Sequence, residues 1–223
     1  MLFDLDGVIT PTADVHERAW GELFADFEWT RDDYLRHVDG KPRYDGVRSF
    51  LASRHVTLPD GDPTDPPGDD TVCAMGNRKN ELFNAILERD GVVPYSGSVV
   101  VLDQLAELGI ATAIVSSSRN ARQVLRAAGL LDRFDVIVDG VTADQRHIAG
   151  KPAPDMFLHA ADCLHLHANR CAVVEDAVAG VAAGAAGGFA CVIGVDRVDG
   201  ASTLLEHGAT LVVHDLDELI GLP

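Results

Sequence analysis

Two aspartates stand one residue apart at the end of a short apolar run in LFDLDGVITPTADVHERAW, residues 2–20, and the residues after them are those of a sharp turn. A second acidic pair, Glu175 and Asp176, follows the apolar run CAVV in the same manner. Four carboxylates brought to one edge repel each other and are costly to bury uncompensated, so a hard cation is their simplest partner. Magnesium suits an all-oxygen site that keeps some of its waters. Between the two pairs, SSSRN at 116–120 follows the apolar run IATAIV and opens a helix, so its hydroxyls and free amides form a phosphate cradle. Lys151, in the Gly- and Pro-constrained stretch AGKPAPDMF, is a fixed ammonium able to neutralise phosphate and carboxylate charge. Each segment has a plainer use when taken alone: strand-end aspartates and serines cap helices, an ED pair matches a helix dipole, and a loop lysine is solvated. Those uses do not require all four segments to occur in this order with this strand context.

The elements that must position these residues are legible as a pattern. From residue 97 onward, amphipathic segments such as VVVLDQLAEL, RQVLRAA and DMFLHAADCL alternate with the short apolar runs IATAIV, FDVIV, CAVV and FACVIGV. The final ATLVVHDLDELIGL repeats the unit. Short β-branched runs between helices predict buried parallel strands, hence a doubly wound parallel α/β sheet. In such sheets the ligand crevice lies outside the carboxyl ends of the strands, which is where Asp4, Asp6, Ser116, Glu175 and Asp176 are expected to converge. Residues 14–93 differ: HERAWGELFADF, RDDYLRHV, YDGVRSFLASR and VCAMGNRKNELFNAILERD all show helical spacing. The breaks at ITPT and VVPYSG predict a core of 1–12 and 95–223 with a helical insertion over 13–94. Within it, the Pro- and Asp-rich LPDGDPTDPPGDD at 58–70 predicts a mobile, solvated loop without chemistry.

The chain has 223 residues, 47% hydrophobic and 24% charged, enough for a real core. A formal net charge of −17 argues against nucleic-acid and anionic-membrane partners, which need basic patches. It contains neither a run long and apolar enough to span a membrane nor a leading signal segment, so the cytoplasm is expected. Cys73, Cys163, Cys171 and Cys191 are scattered, which fits reduced thiols. His159, His165 and His167 fit a surface helix end better than a metal site. The GVAAGAAGG stretch reads as close helix–sheet packing rather than as a dinucleotide fingerprint. Oligomeric state has no signature in the sequence.

The order DxDGV, a serine after a strand, GKP, and ED before a small-residue helix resembles the haloacid dehalogenase-like phosphotransferase superfamily over essentially the whole chain. The insertion resembles that superfamily's α-helical cap on a Rossmann-like core. Within it, FDLDGVITPTADVHERAW, GKPRYDGV, NRKN, SSSRN and GKPAPDMF are similar to the β-phosphoglucomutase group. The resemblance implies that Asp4 is the nucleophile forming an aspartyl-phosphate and that Asp6 is the general acid and base. It implies magnesium held by the Asp4 carboxylate, the Asp6 backbone carbonyl and Asp176, with Glu175 beside them. Ser116 and Lys151 would hold the transferring phosphoryl group, with Ser117 adding its amide. His16, Arg43 and Lys79 from the cap, with Arg119 and Asn120 from the core, match the mutase pattern for binding a small phosphorylated sugar. The implied reaction interconverts β-glucose 1-phosphate and glucose 6-phosphate through a bisphosphate. A sugar-phosphate phosphatase and a non-catalytic binding protein remain as alternatives. Pro11 stands where the group commonly has an acidic residue, and Lys41, Pro42 and Tyr44 depart from the usual context of Arg43. Only Met1, Leu2 and Phe3 precede the nucleophile, which leaves open residues upstream.

Overall fold

The computed structural model describes residues 1–197 and 200–221. The chain divides into two compact units, one of Met1–Thr12 with Val92 onward and one of Ala13–Gly91. In chain order the elements are β1 (Leu2–Phe3), α1 (Thr12–Leu23), α2 (Arg31–Asp33), α3 (Arg43–Ser53), α4 (Val72–Asp90), α5 (Ser96–Glu107), β2 (Ala113–Val115), α6 (Ala121–Ala127) and β3 (Val136–Val138). They continue with α7 (Gly140–Arg146), α8 (Asp155–Cys163), β4 (Ala172–Glu175), α9 (Val178–Ala186), β5 (Cys191–Val195), α10 (Ala201–Glu206) and β6 (Leu211–Val213).

The expected doubly wound sheet is present. Its strands run in the order β3-β2-β1-β4-β5-β6, and every pairing is parallel. Strands covered on both faces must be apolar on both faces. Leu2, Phe3, Ala113, Ile114, Val115, Val173 and Val174 accordingly have no exposed surface. β1 is only two residues long, yet it is central: Leu2 is in register with Ala113 on one side and Val173 on the other. The Asp4 amide continues the ladder by donating to the Val174 carbonyl at 2.9 Å. The helices α7 and α10 were not anticipated. Their sequences, GVTADQR and ASTLLE, carry too few apolar side chains to stand out as an amphipathic segment, and α7 is started by Asp139, whose carboxylate accepts from the Thr142 amide at 2.8 Å. All four cysteines are free thiols. Among the described residues no helix is long and apolar enough to cross a membrane.

The unit Ala13–Gly91 packs around aromatic rings. Phe24 stacks on Phe50 at 3.9 Å and on Trp20 at 5.5 Å, with Phe27 and Trp29 closing the cluster. RDDYLRHV, expected as plain helix, is α2 followed by a wider turn over Tyr34–Val38, closed where the Asp39 amide reaches the Tyr34 carbonyl at 3.0 Å. The segment 58–70 is largely exposed, as a solvated loop should be, and it carries a set of specific hydrogen bonds. Asp65 Oδ2 accepts from the Asp62 amide at 3.0 Å and the Thr71 hydroxyl at 2.8 Å. Asn77 donates to the Pro63 and Asp65 carbonyls, and Arg48 pairs with Asp60 at 2.8 Å. Two of its aspartates accept from nearby backbone amides, Asp62 from Thr64 at 2.9 Å and Asp65 from Asp62 at 3.0 Å.

Asp33 is a stability determinant of this unit. Its carboxylate accepts from the Thr30 amide at 2.9 Å and hydroxyl at 2.8 Å, completing a capping box, and pairs with Arg54 at 2.8 Å. Burial pushes the Asp33 carboxyl up, but the Thr30 and Arg54 hydrogen bonds outweigh it and hold the group below the usual carboxylate range. A depressed carboxyl adds stability that is full above its unfolded value near ~3.9 and fades as pH falls through the lower folded value. Asp33→Asn is expected to cost about 1–2 kcal/mol at neutral pH. In urea unfolding the gap to the parent should close below about pH 4, and a gap constant down to about pH 3 would contradict this account.

Candidate active site at the carboxyl edge of the sheet

The end of β1 delivers Asp4 to the carboxyl edge, and the chain then turns at once. Asp4 is 7% exposed, and its Oδ1 accepts from Lys151 Nζ at 2.5 Å. The same ammonium donates to Glu175 Oε1 at 2.5 Å and to the Val115 carbonyl at 3.0 Å, so all three of its protons are used. The ring of Phe157 lies 5.0 Å beneath it. Burial, with the Glu175 and Asp6 charges, pushes the Asp4 carboxyl well above its ordinary value, and the facing Lys151 only partly offsets this. For Lys151 burial works against the charged form, but Asp4 and Glu175 outweigh it and raise its pKa, keeping the ammonium protonated.

Asp6 is held by hydroxyls. Thr12 Oγ1 donates to Asp6 Oδ1 at 2.5 Å, Thr12 and Thr10 hydroxyls lie 2.7 Å apart, and Ser116 Oγ approaches Asp6 Oδ2 at 3.4 Å. The turn itself needs Gly7, whose φ is +87° and whose missing Cβ would fall 1.8 Å from Asp176 Oδ2. A second glycine has the same use: a Cβ on Gly180 would fall 1.7 Å from Glu175 Oε1. Glu175 is 1% exposed and is engaged on both sides, by Lys151 and by the Ala177 amide, which donates to Oε2 at 3.0 Å. One carboxylate oxygen each from Asp4, Glu175 and Asp176 lies within 4.8 Å of the others, the one such group among the described residues. Three hard oxygen donors in that space fit a magnesium ion.

The structure therefore brings together Asp4, Asp6, Ser116, Lys151, Glu175 and Asp176. Ser116 is 1% exposed at the end of β2, and its Oγ accepts from the Ser118 amide at 3.1 Å. Ser117 is half-buried on the same loop, and its carbonyl lies against Gly140. Asn120 leads into α6, its amide donating to Ser118 Oγ at 3.1 Å, while Arg119 pairs with Asp144. His16, Arg43 and Lys79 belong to the other unit. Lys79, which by itself reads as solvated, is 4% exposed: its ammonium meets His16 Nδ1 and lies about 5 Å from the Trp20 and Phe83 rings. Arg43 donates to Asn80 Oδ1 at 2.7 Å and Asn77 Oδ1 at 3.4 Å, both neutral acceptors. Sequence reasoning missed Gly180, while Asn77 and Asn80, which hold Arg43, both lie in the NRKN motif it quoted. Gly180 lies in the small-residue stretch read as helix packing, so no separate signal marked it.

A family model described as haloacid dehalogenase-like hydrolase matches residues 1–188. The chain belongs to that family. The β-phosphoglucomutase of Mycobacterium tuberculosis (strain CDC 1551 / Oshkosh) is 48% identical to this chain, covering 98% of it and 90% of the relative. That of Bacillus subtilis (strain 168) is 34% identical over 98% of this chain and 90% of its own. The crystal structure of β-phosphoglucomutase from Clostridium difficile superposes with a TM-score of 0.81 at 26% identity, covering 99% of this chain and 92% of that one. As a member of the haloacid dehalogenase-like family the chain is an enzyme, isomerase or phosphatase, and its parallel six-stranded sheet with flanking helices matches the fold of that solved structure.

Proposed function

We propose that this chain is a magnesium-dependent phosphomutase that interconverts β-glucose 1-phosphate and glucose 6-phosphate in the cytoplasm. The observation that carries the reading is Asp4 clamped by a buried lysine at a strand end with a second carboxylate, Asp6, held two residues on. Asp4 Oδ attacks phosphorus in line as the bond to the sugar oxygen breaks, and Asp6 delivers its proton to that departing oxygen. In the second half Asp6 takes the proton of the acceptor hydroxyl, which attacks the aspartyl-phosphate and releases Asp4. Asp4, the Asp6 carbonyl and Asp176, with Glu175 beside them, would hold magnesium, which when bound neutralises charge on the transferring group. Lys151 and Ser116 steady that group, and Ser117 adds its amide.

For the helical unit the same reading assigns the part of a cap that keeps water away from the aspartyl-phosphate. Arg43 would grip the non-transferring phosphate through paired hydrogen bonds, which the planar guanidinium can make to two phosphate oxygens at once. Lys79 and His16 would contact the sugar phosphate, and Arg119 and Asn120 would add contacts from the core. A phosphatase uses the same core residues and passes the phosphoryl group to water. Purified protein with magnesium, β-glucose 1-phosphate and a trace of the bisphosphate is expected to form glucose 6-phosphate without matching release of phosphate. Phosphate release without isomerisation would make it a sugar-phosphate phosphatase.

A further inference from the structure

Arg197, just after β5, belongs to none of the motifs above, yet its guanidinium reaches the catalytic turn. Its side chain is 18% exposed, and each of its three nitrogens donates to an acceptor. Nε donates to the Gly7 carbonyl at 3.0 Å, Nη1 to the His214 carbonyl at 2.8 Å and Nη2 to Asp215 Oδ1 at 3.1 Å. The group lies 3.9 Å over the Tyr95 ring, and the Tyr95 amide donates to the Ile9 carbonyl at 3.0 Å. The loop from Gly7 to Thr10 is thus gripped at Gly7 by Arg197 and at Ile9 by the residue on which Arg197 stacks. Gly7 is further fixed by its amide, which donates to the Thr10 carbonyl at 2.7 Å.

The anchors are themselves held. Asp215 Oδ1 accepts from the Leu216 amide at 2.8 Å, and Glu218 Oε1 accepts from the His214 and Asp215 amides at 2.9 and 3.1 Å. A Cβ on Gly97 would fall 2.7 Å from Asp215, so the carboxylate is wedged against α5.

We propose that Arg197 is a positioning residue: it holds the Gly7 carbonyl so that Asp6, one residue before, and Asp176, packed against Gly7, keep their places through the reaction. This rests on the phosphotransferase reading of Asp4 and Asp6. One rigid fork serves three acceptors at once, whereas a lysine ammonium is a flexible point charge that cannot reproduce its plane or its stacking. A displacement on the order of 1 Å at a reacting group costs about 100-fold in rate.

The test uses the full chain with Arg197→Ala, Arg197→Lys and Tyr95→Leu. In Arg197→Ala, kcat for phosphoryl transfer is expected to fall about 30- to 100-fold while KM for the sugar phosphate stays within about twofold. Added guanidinium ion should restore part of the Arg197→Ala rate, and Arg197→Lys should recover less than about a tenth of the parent rate. Hydrogen exchange of the metal-free, substrate-free protein should speed up at Gly7, Ile9 and Thr10 and stay unchanged in α8, a readout independent of turnover. If Arg197→Ala fails to fold, Arg197→Lys and Tyr95→Leu decide by the same readouts. Unchanged exchange in the loop with activity retained overturns the inference alone, as does a rate that falls only with the fraction folded and is not rescued by guanidinium. A parent inactive on glucose phosphates and on simple phosphate esters overturns the functional reading beneath it.

Discussion

Lys151→Met is expected to abolish turnover and to destabilise the metal-free protein by about 3–5 kcal/mol, the usual cost of removing one partner from a buried ionic cluster. Methionine can follow the path of the lysine stem over Phe157, so the loss is that of the charge and its three hydrogen bonds. Without it, Asp4 and Glu175 face each other at 7% and 1% exposure with no cation between them. Burial already pushes the Asp4 carboxyl up, and Lys151 is the charge that restrains it. A carboxyl raised in the folded state favours folding when protonated, a gain complete below the unfolded value near ~3.9 and lost as pH rises through the folded value. The deficit of Lys151→Met should therefore be small in acid and widen as pH rises, read by urea unfolding in the presence of a chelator. Turnover at saturating magnesium should drop by about 10³-fold or more, because the transferring phosphoryl group loses its fixed ammonium. A variant that matches the parent midpoint at neutral pH would show that the two carboxylates do not depend on this lysine.

Asp4→Asn should have the opposite signature: activity lost and folding kept. The amide has nearly the volume of the carboxylate but cannot form the acyl-phosphate, so kcat is expected to fall by about 10⁴-fold or more. Lys151 would still hold Glu175 and the Val115 carbonyl, while repulsion from Glu175 and Asp6 on residue 4 would vanish. The thermal midpoint of the metal-free variant should equal or exceed that of the parent. Retention of more than about one hundredth of the parent kcat would remove Asp4 from the role of nucleophile. The two variants together separate the charge that does chemistry from the charge that makes its burial tolerable.

Much of this was legible in the sequence, because some of the physics is local. Short β-branched runs between amphipathic segments specify a parallel sheet, and the topology of such a sheet sends whatever follows each strand to one edge. Asp4, Ser116 and Glu175 could be assigned to one crevice for that reason alone. Where local signals were weak, the sequence was silent: α7 and α10 carry too few apolar side chains to show a stripe, and the aspartates of 58–70 serve equally as solvated charges or as turn acceptors. The remainder was decided by partners far apart in the chain. Lys151 meets Asp4 across 147 positions and Arg197 meets Gly7 across 190, and no spacing encodes either contact. The same holds for Gly180, whose reason is the volume of the Glu175 carboxylate beside it. Patterns between chain neighbours determined which residues reach the edge of the sheet. Only closure of the sheet, which sets distances between strangers in sequence, decided which charges are paired, which space must stay empty and what holds the catalytic turn in place.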